Sequence, residues 1–162
     1  MSAQIKRVDH SALRVNQASI ITLLIAAFIL NVPWLVAVVA GVMLIGTVLR
    51  VPGFKWLYAG LFKPLGWVKP DILEDNPEPH VFAQGLGGVV LLGALAGFVL
   101  GSEIVGWALT WLVVALAALN LFAGFCAGCF VYYWLVRLNV PGFIARPPAG
   151  TFPGMRPSRK ES

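Results

Sequence analysis

This sequence has few charged residues. Asp, Glu, Lys and Arg make up only 12% of the 162 residues, whereas 59% of the residues are hydrophobic and the mean hydropathy is +0.82. Soluble domains carry about 25% charged residues, so this scarcity excludes an ordinary soluble globular domain. It also excludes a disordered chain, because disordered chains are poor in hydrophobic residues. We therefore predict a single-domain, all-α integral membrane protein.

The few basic residues are confined to three segments of the chain. They precede the first apolar run, separate the second run from the third, or follow the last run: Lys6, Arg7, Arg14, Arg50, Lys55, Lys63, Lys69, Arg137, Arg146, Arg156, Arg159 and Lys160. The apolar runs predict four transmembrane helices, arranged as two hairpins, at about residues 12–31, 34–50, 81–100 and 104–136. By the positive-inside rule, we expect both termini to face the cytoplasm of a bacterial inner membrane.

The segments outside these spans carry their own signals. Residues 51–80 alternate aromatic rings with lysines and predict an interfacial segment, whose acidic end (residues 71–80) we expect to be a solvated loop. Residues 141–162 are rich in Pro, Gly and Arg and predict an extended cytoplasmic tail. The tetrapeptide Val51–Phe54 recurs as Val140–Phe143, each time after a predicted hairpin. A repeat of two hairpins is one interpretation of this recurrence.

The only two cysteines lie three residues apart, in the segment Phe125-Cys-Ala-Gly-Cys-Phe130. At this spacing two thiols close a disulfide and lower one another's pKa. We therefore predict Cys126 and Cys129 as the reactive pair, near the inner end of the fourth helix. The alternative is that both are small apolar residues that pack in the helix core.

Other chemical motifs are missing. The sequence has no serine–histidine–acid set, phosphate-binding loop or metalloprotease motif, and it predicts no cofactor and no metal. One alternative to that expectation is a tetrahedral metal site made by His10, His80, Cys126 and Cys129. The spacing of these four residues is not that of a zinc finger, and the histidines need only be interfacial.

Three segments resemble the DUF4395 family of small bacterial multi-span proteins, which has no assigned function. They are Val8–Gln17, Phe82–Gly87 and Leu119–Tyr133, and the FCxGC element in the last of them is the most specific. The resemblance implies that the family's cysteine pair corresponds to Cys126 and Cys129. The resemblance also implies an association with thioredoxin-like or rhodanese-like proteins, and so thiol or sulfur handling by association only.

Two functions of different classes fit these observations, and the sequence leaves open whether the protein is an enzyme. The first is a membrane thiol protein that exchanges dithiol for disulfide, or relays sulfur, through Cys126 and Cys129 with a thioredoxin- or rhodanese-like partner. The second is a non-catalytic accessory subunit of a larger respiratory or photosynthetic membrane complex. The expected partners are membrane lipid and either other membrane subunits or a thioredoxin-like protein, with no nucleic acid.

The charge distribution makes a prediction about topology. Green fluorescent protein fused after Ser162 or after Gly66 should fluoresce, because both sites are expected in the cytoplasm. Alkaline phosphatase inserted after Asn31 or after Gly101 should be active, because these turns carry no Lys or Arg and are expected outside. Phosphatase activity from the fusions at Ser162 or Gly66 would contradict the orientation.

Overall fold

The computed structural model describes residues 6–66, 69–148 and 150–157, and within them the chain is mostly helical. The helices, in chain order, are α1 His10–Ile29, α2 Pro33–Val48, α3 Lys55–Leu57, α4 Pro77–Val99, α5 Glu103–Ala123 and α6 Ala127–Arg137. A π-helical turn, Tyr58–Phe62, continues α3. Helices α1, α4 and α5 are long and apolar enough to cross a membrane, whereas α2 is apolar but has 16 residues.

The fourth predicted span, residues 104–136, is wrong as a single helix. Helix α5 ends at Ala123, and Gly124 adopts the left-handed conformation with φ +66°. A left-handed residue ends an α-helix, and glycine adopts it without the steric cost of a Cβ. Cys126 then has an extended backbone and is the N-cap of α6. The helix is therefore interrupted just before the two cysteines.

A small antiparallel sheet corrects the expectation of an all-α fold. Strand β1, Lys6–Asp9, pairs with strand β2, Ile72–Asp75, with Val8 opposite Leu73. The Asp9 carboxylate caps α1 by accepting the Ser11 N–H, and it also accepts the Asp71 N–H and the Tyr58 hydroxyl. The end of the predicted interfacial segment is thus strand and helix rather than loop. Trp67 and Val68 of that segment lie outside the described residues.

The apolar helices α1, α2, α4 and α5 pack around one core. Helix α4 lies between α2 and α5, and α1 packs on both α2 and α5. The residues with the largest buried side chains in this core include Ile20, Leu24, Val36, Val39 and Leu91. The outer surface carries large exposed hydrophobic side chains such as Val48, Val99 and Phe122. An exterior with so many large apolar side chains is suited to lipid rather than to water.

A pair of buried amides joins the helices near the charged ends of α1, α2 and α4. The Gln84 side chain accepts hydrogen bonds from Gly53 N and Asn16 Nδ2, and donates to the carbonyls of Met43 and Val51. Asn16 Oδ1 accepts the Phe54 N–H at 2.9 Å. Buried polar groups are costly unless they are paired, and these two amides satisfy one another and the turn after α2.

Replacing Gln84 by Leu should destabilise the protein. The change leaves Asn16 and the Gly53 N–H without their shared acceptor, at a cost of about 1–3 kcal/mol for each unsatisfied buried group. Thermal unfolding in detergent measures the loss. The matched control is Ser19→Ala, because the Ser19 hydroxyl donates only to Val15 O of its own helix. Equal melting temperatures for the two variants would contradict the role given to Gln84.

Candidate redox site

Residues 150–157 fold back over the break between α5 and α6. Cys126 N donates to Gly154 O at 2.8 Å, and Arg156 N donates to Gly124 O at 2.9 Å. Phe125 and Met155 form an isolated antiparallel bridge, and the Arg156 guanidinium forms an ion pair with Asp71. Between residues 150 and 157 the predicted tail is therefore held against the cysteines. Ala149 and residues 158–162 lie outside the described residues.

The two cysteines form a disulfide at the N-terminus of α6. Their Cα atoms are 5.2 Å apart, and both residues are buried, with 5% and 3% of their surface exposed. Cys126 Sγ accepts the backbone N–H of Cys129 at 3.2 Å, as an N-cap side chain does. A thiolate at this position would be stabilised by that N–H and by the positive end of the helix dipole.

A histidine contacts the second sulfur. His80 Nδ1 lies 3.5 Å from Cys129 Sγ, and His80 Nε2 lies 2.9 Å from Asp75 Oδ2. Asp75 is the last residue of β2 and His80 is in the first turn of α4, so the connection between strand and helix sets this geometry. The imidazole ring of His80 thus lies between a carboxylate and a sulfur. In proteins a carboxylate placed in this way orients a histidine ring for proton transfer to or from a thiol.

His10 approaches the same carboxylate from α1. Its Nε2 lies 3.1 Å from Asp75 Oδ2, an ion-pair distance, but the geometry is not that of a hydrogen bond. Burial would raise the pKa of the Asp75 carboxyl, but the contacts with His10, His80 and the Asn76 N–H outweigh burial and hold the pKa well below its usual range. Asp75 is therefore ionised at neutral pH, and its charge lies between the two rings.

Sequence reasoning missed Asp75 as a site residue. The carboxylate belongs to an acidic segment that we expected to be solvated, yet the residue is only 5% exposed. One feature of the sequence could have indicated it: Asp75 lies five residues before His80. That spacing brings the two side chains into contact only because the chain passes from strand β2 into helix α4 between them.

A cavity of about 270 Å³ faces the disulfide from the side of the sheet and the tail. Its lining is rich in polar and charged side chains, including His10, Arg14, Asp75, His80 and Arg156, and it contains both cysteines. The cavity therefore gives a polar approach to Cys126 and Cys129.

The fold also brings close together the four residues of the alternative metal site, His10, His80, Cys126 and Cys129. The ligand atoms of His80, Cys126 and Cys129 lie within 4.8 Å of one another, and so do those of His10, Asp75 and His80. In the disulfide state the sulfurs offer no thiolate to a metal ion, so the first set is open to a metal only after reduction. Histidines that bind a metal through one ring nitrogen commonly bond a carboxylate through the other, and Asp75 contacts His80 Nε2 in this way.

Close packing of α6 on α4 sets the distance between His80 and Cys129. A Cβ at Gly128 would lie 2.5 Å from Ala83 Cβ and 2.7 Å from Ala83 Cα, so the two helices touch at this point. Helix α4 carries His80 three residues before Ala83, and α6 carries Cys129 directly after Gly128. Any residue larger than glycine at position 128 therefore requires α6 and α4 to shift relative to one another at this point.

Gly128→Ala should therefore destabilise the protein by about 1–3 kcal/mol, the usual cost of overpacking. The control is Gly93→Ala on α4, where the added Cβ would lie an ordinary 3.5 Å from Leu109 Cδ1. Thermal unfolding of both variants in detergent measures the difference. A Gly128→Ala protein as stable as Gly93→Ala would show that α6 is free to move away from α4.

Comparison with known proteins confirms the family resemblance. The family model described as a domain of unknown function, DUF4395, matches residues 8–137, which include α1 to α6 and both cysteines. Neither the curated proteins nor the solved structures contain a match to this chain. The chain belongs to the DUF4395 family.

Proposed function

We propose that this protein is a membrane dithiol/disulfide exchange protein whose Cys126–Cys129 pair reacts with a thioredoxin-like partner. The observation that carries the proposal is the disulfide at the N-terminus of α6 with His80 beside Cys129 Sγ. Two features support exchange over a sulfur relay. The second cysteine is already bonded to the first, and each sulfur has its own stabilising group.

The two stabilising groups assign different roles to the sulfurs. Cys126 Sγ accepts the Cys129 N–H, so Cys126 is the sulfur that is stable as a thiolate. Cys129 Sγ contacts the His80 ring, so Cys129 is the sulfur whose proton can be supplied or removed. Asp75 contacts the other nitrogen of the ring and so keeps Nδ1 directed at the sulfur.

Exchange with a reduced partner then proceeds in two displacements. A partner thiolate attacks Cys126 Sγ, the Cys126–Cys129 bond breaks, and Cys129 leaves as a thiolate that takes the Nδ1 proton of His80. The second partner thiol then gives its proton back to His80 and attacks the partner's sulfur in the mixed disulfide, which releases Cys126 as a thiolate. Two electrons pass from the partner, which becomes a disulfide, to the cysteine pair, which becomes a dithiol. The reverse sequence oxidises the pair.

The membrane arrangement belongs to the same proposal. We infer four spans, with α2 as the short one, and both termini in the cytoplasm of a bacterial inner membrane. This orientation rests on the confinement of the Lys and Arg residues to three parts of the chain: residues 6–14, residues 50–69 between α2 and α4, and residues from 137 onward. It would place the polar cavity toward the cytoplasm, where a soluble partner reaches it. The recurring Val-Pro-Gly-Phe turns keep a two-hairpin repeat as part of the proposal.

Single cysteine variants test the assignment of roles. Cys129→Ser should trap a mixed disulfide between Cys126 and an oxidised thioredoxin-like protein, because the resolving thiol is gone. Cys126→Ser should trap much less, because Cys129 is not the sulfur held as a thiolate. Non-reducing gel electrophoresis of the purified variants measures the adduct. Equal trapping by the two variants would contradict the assignment, and labelling of thiols in native membranes that never responds to oxidant or reductant would end the proposal.

Histidine variants test the proton-transfer step. His80→Gln should slow reduction of the disulfide about 100-fold or more, the usual contribution of general acid catalysis. His10→Gln is the matched control, because His10 reaches the same carboxylate but does not contact a sulfur. Stopped-flow measurement of exchange gives both rates. Equal effects of the two substitutions would show that His80 acts only through the fold.

An accessory-subunit function makes the opposite prediction for the cysteines. The exposed apolar surface, with side chains such as Val99 and Phe122, is also what a subunit of a larger membrane complex would present. The double variant Cys126→Ser with Cys129→Ser should then still co-purify with its complex and support its activity. Loss of thiol exchange together with the cellular effect of the protein would favour the redox function instead.

A further inference from the structure

We propose that an isoprenoid quinone binds in a crevice on the lipid side of the disulfide and exchanges two electrons with the cysteine pair. This inference rests on the proposed thiol function and names a second substrate class for the same site. Cys126 borders two separate cavities.

The second cavity is an apolar crevice between α1, α4, α5 and α6. Its volume is about 290 Å³, and buried side chains such as Ile20 and Val113 form its inner wall. A cavity of about 150 Å³ is enough for one aromatic ring, so this crevice has room for a substituted ring. Three of its lining residues are exposed on the apolar exterior, which opens the crevice toward lipid: Leu86, Leu112 and Leu116.

Three residues line both this crevice and the polar cavity: Gln17, Asn120 and Cys126. Gln17 and Asn120 are half-buried, and neither side chain has a hydrogen-bond partner among the residues that the structure describes. Two amides without partners beside a sulfur, at the inner end of an apolar crevice, suit a ligand with an apolar body and carbonyl oxygens at one end. A quinone has this form, and the amide N–H groups are donors to its carbonyls.

The chemistry of the pair also selects a quinone. Closing the disulfide releases two electrons and two protons, and a quinone takes up both when it becomes a quinol. The Cys126 thiolate adds to a ring carbon, and Cys129 then attacks Cys126 Sγ and breaks the carbon–sulfur bond. The electron pair of that bond stays with the ring, and the two quinol oxygens take the protons released by the thiols. The reaction consumes one quinone for each dithiol and forms one disulfide.

The position of Cys126 connects the two reactions. A soluble dithiol reaches the sulfur through the polar cavity, and a quinone reaches it from the bilayer through the crevice. Two substrates that do not mix in one phase can thus use the same sulfur in turn.

The test is the reaction of the reduced protein with decylubiquinone. The protein is reduced in nanodiscs and freed of reductant, and decylubiquinone is then added as the probe. Quinone absorbance and free thiols are followed together. The expected result is loss of two thiols for each quinone reduced, and no reaction of the Cys126→Ser, Cys129→Ser double variant above the uncatalysed rate. A wild-type rate equal to that of the double variant would overturn the proposal.

Two alanines of α5 give a matched pair of variants. Ala117 is buried and lines the crevice, whereas Ala115 is exposed on the same helix. Ala117→Phe should fill the crevice and slow quinone reduction about tenfold or more, because the ring can no longer approach the sulfur. Ala115→Phe should react as the wild type does. Equal rates for the two variants would overturn the crevice as the binding site.

Further measurements separate folding defects and the proposed function from this inference. Exchange with thioredoxin on the same samples reports the thiol function and the integrity of each variant. If Ala117→Phe loses that exchange as well, Asn120→Leu decides: the proposal requires a higher half-saturating quinone concentration, and an unchanged one overturns it. Thioredoxin exchange without quinone reduction overturns only the quinone inference. Quinone reduction without thioredoxin exchange supports the inference and overturns only the proposed partner.

Discussion

The left-handed turn at Gly124 is the constraint on which the site depends. It stops α5 at Ala123 and lets the chain restart at Cys126, so that the first cysteine caps a helix instead of lying within one. A thiol in the middle of an apolar helix would meet neither a free N–H group nor a polar cavity, and burial there would keep its pKa high. The break also frees the Gly124 carbonyl and the Cys126 N–H, and the returning tail binds both. Helix end, cap and tail contact are therefore consequences of one backbone conformation.

A second contribution comes from the buried carboxylate of Asp75. It holds His80 of α4 by one oxygen and lies at ion-pair distance from His10 of α1. An ionised carboxylate this deeply buried is stable only because the two rings and the Asn76 N–H compensate for lost hydration. The small sheet matters for the same reason, since β2 ends at Asp75 and its pairing with β1 brings His10 and His80 to one place. The Asp75 carboxylate thus connects His10 of α1 and His80 of α4, and His80 in turn contacts the disulfide.

The sequence predicted apolar helices and drew attention to the two cysteines and the two histidines, but it predicted neither the sheet nor the position of Asp75 between the histidines. The apolar runs predicted the helices α1, α2 and α4, because hydrophobicity of this length is a property of local composition. The same criterion failed at residues 104–136, since a break of three residues hardly lowers the mean hydropathy of a long run. The sheet was missed because its strands have four residues each and lie more than 60 residues apart. Asp75 was missed with it, as an acidic residue among others in a segment that composition marks as loop.

The sequence by itself therefore determined that the chain is helical and apolar, where its basic residues lie, and that two thiols are its distinctive chemical groups. Those properties depend on each residue and its near neighbours, so they can be read without the fold. Tertiary structure decided which groups meet the thiols. His10, the Asp75–His80 segment and Gly154 come from three different parts of the chain, and only the packing of α4 on α6, the pairing of β1 with β2 and the return of the tail bring them to the disulfide. Contacts between distant segments depend on helix breaks and close approaches such as Gly124 and Gly128, whose effects no local pattern records.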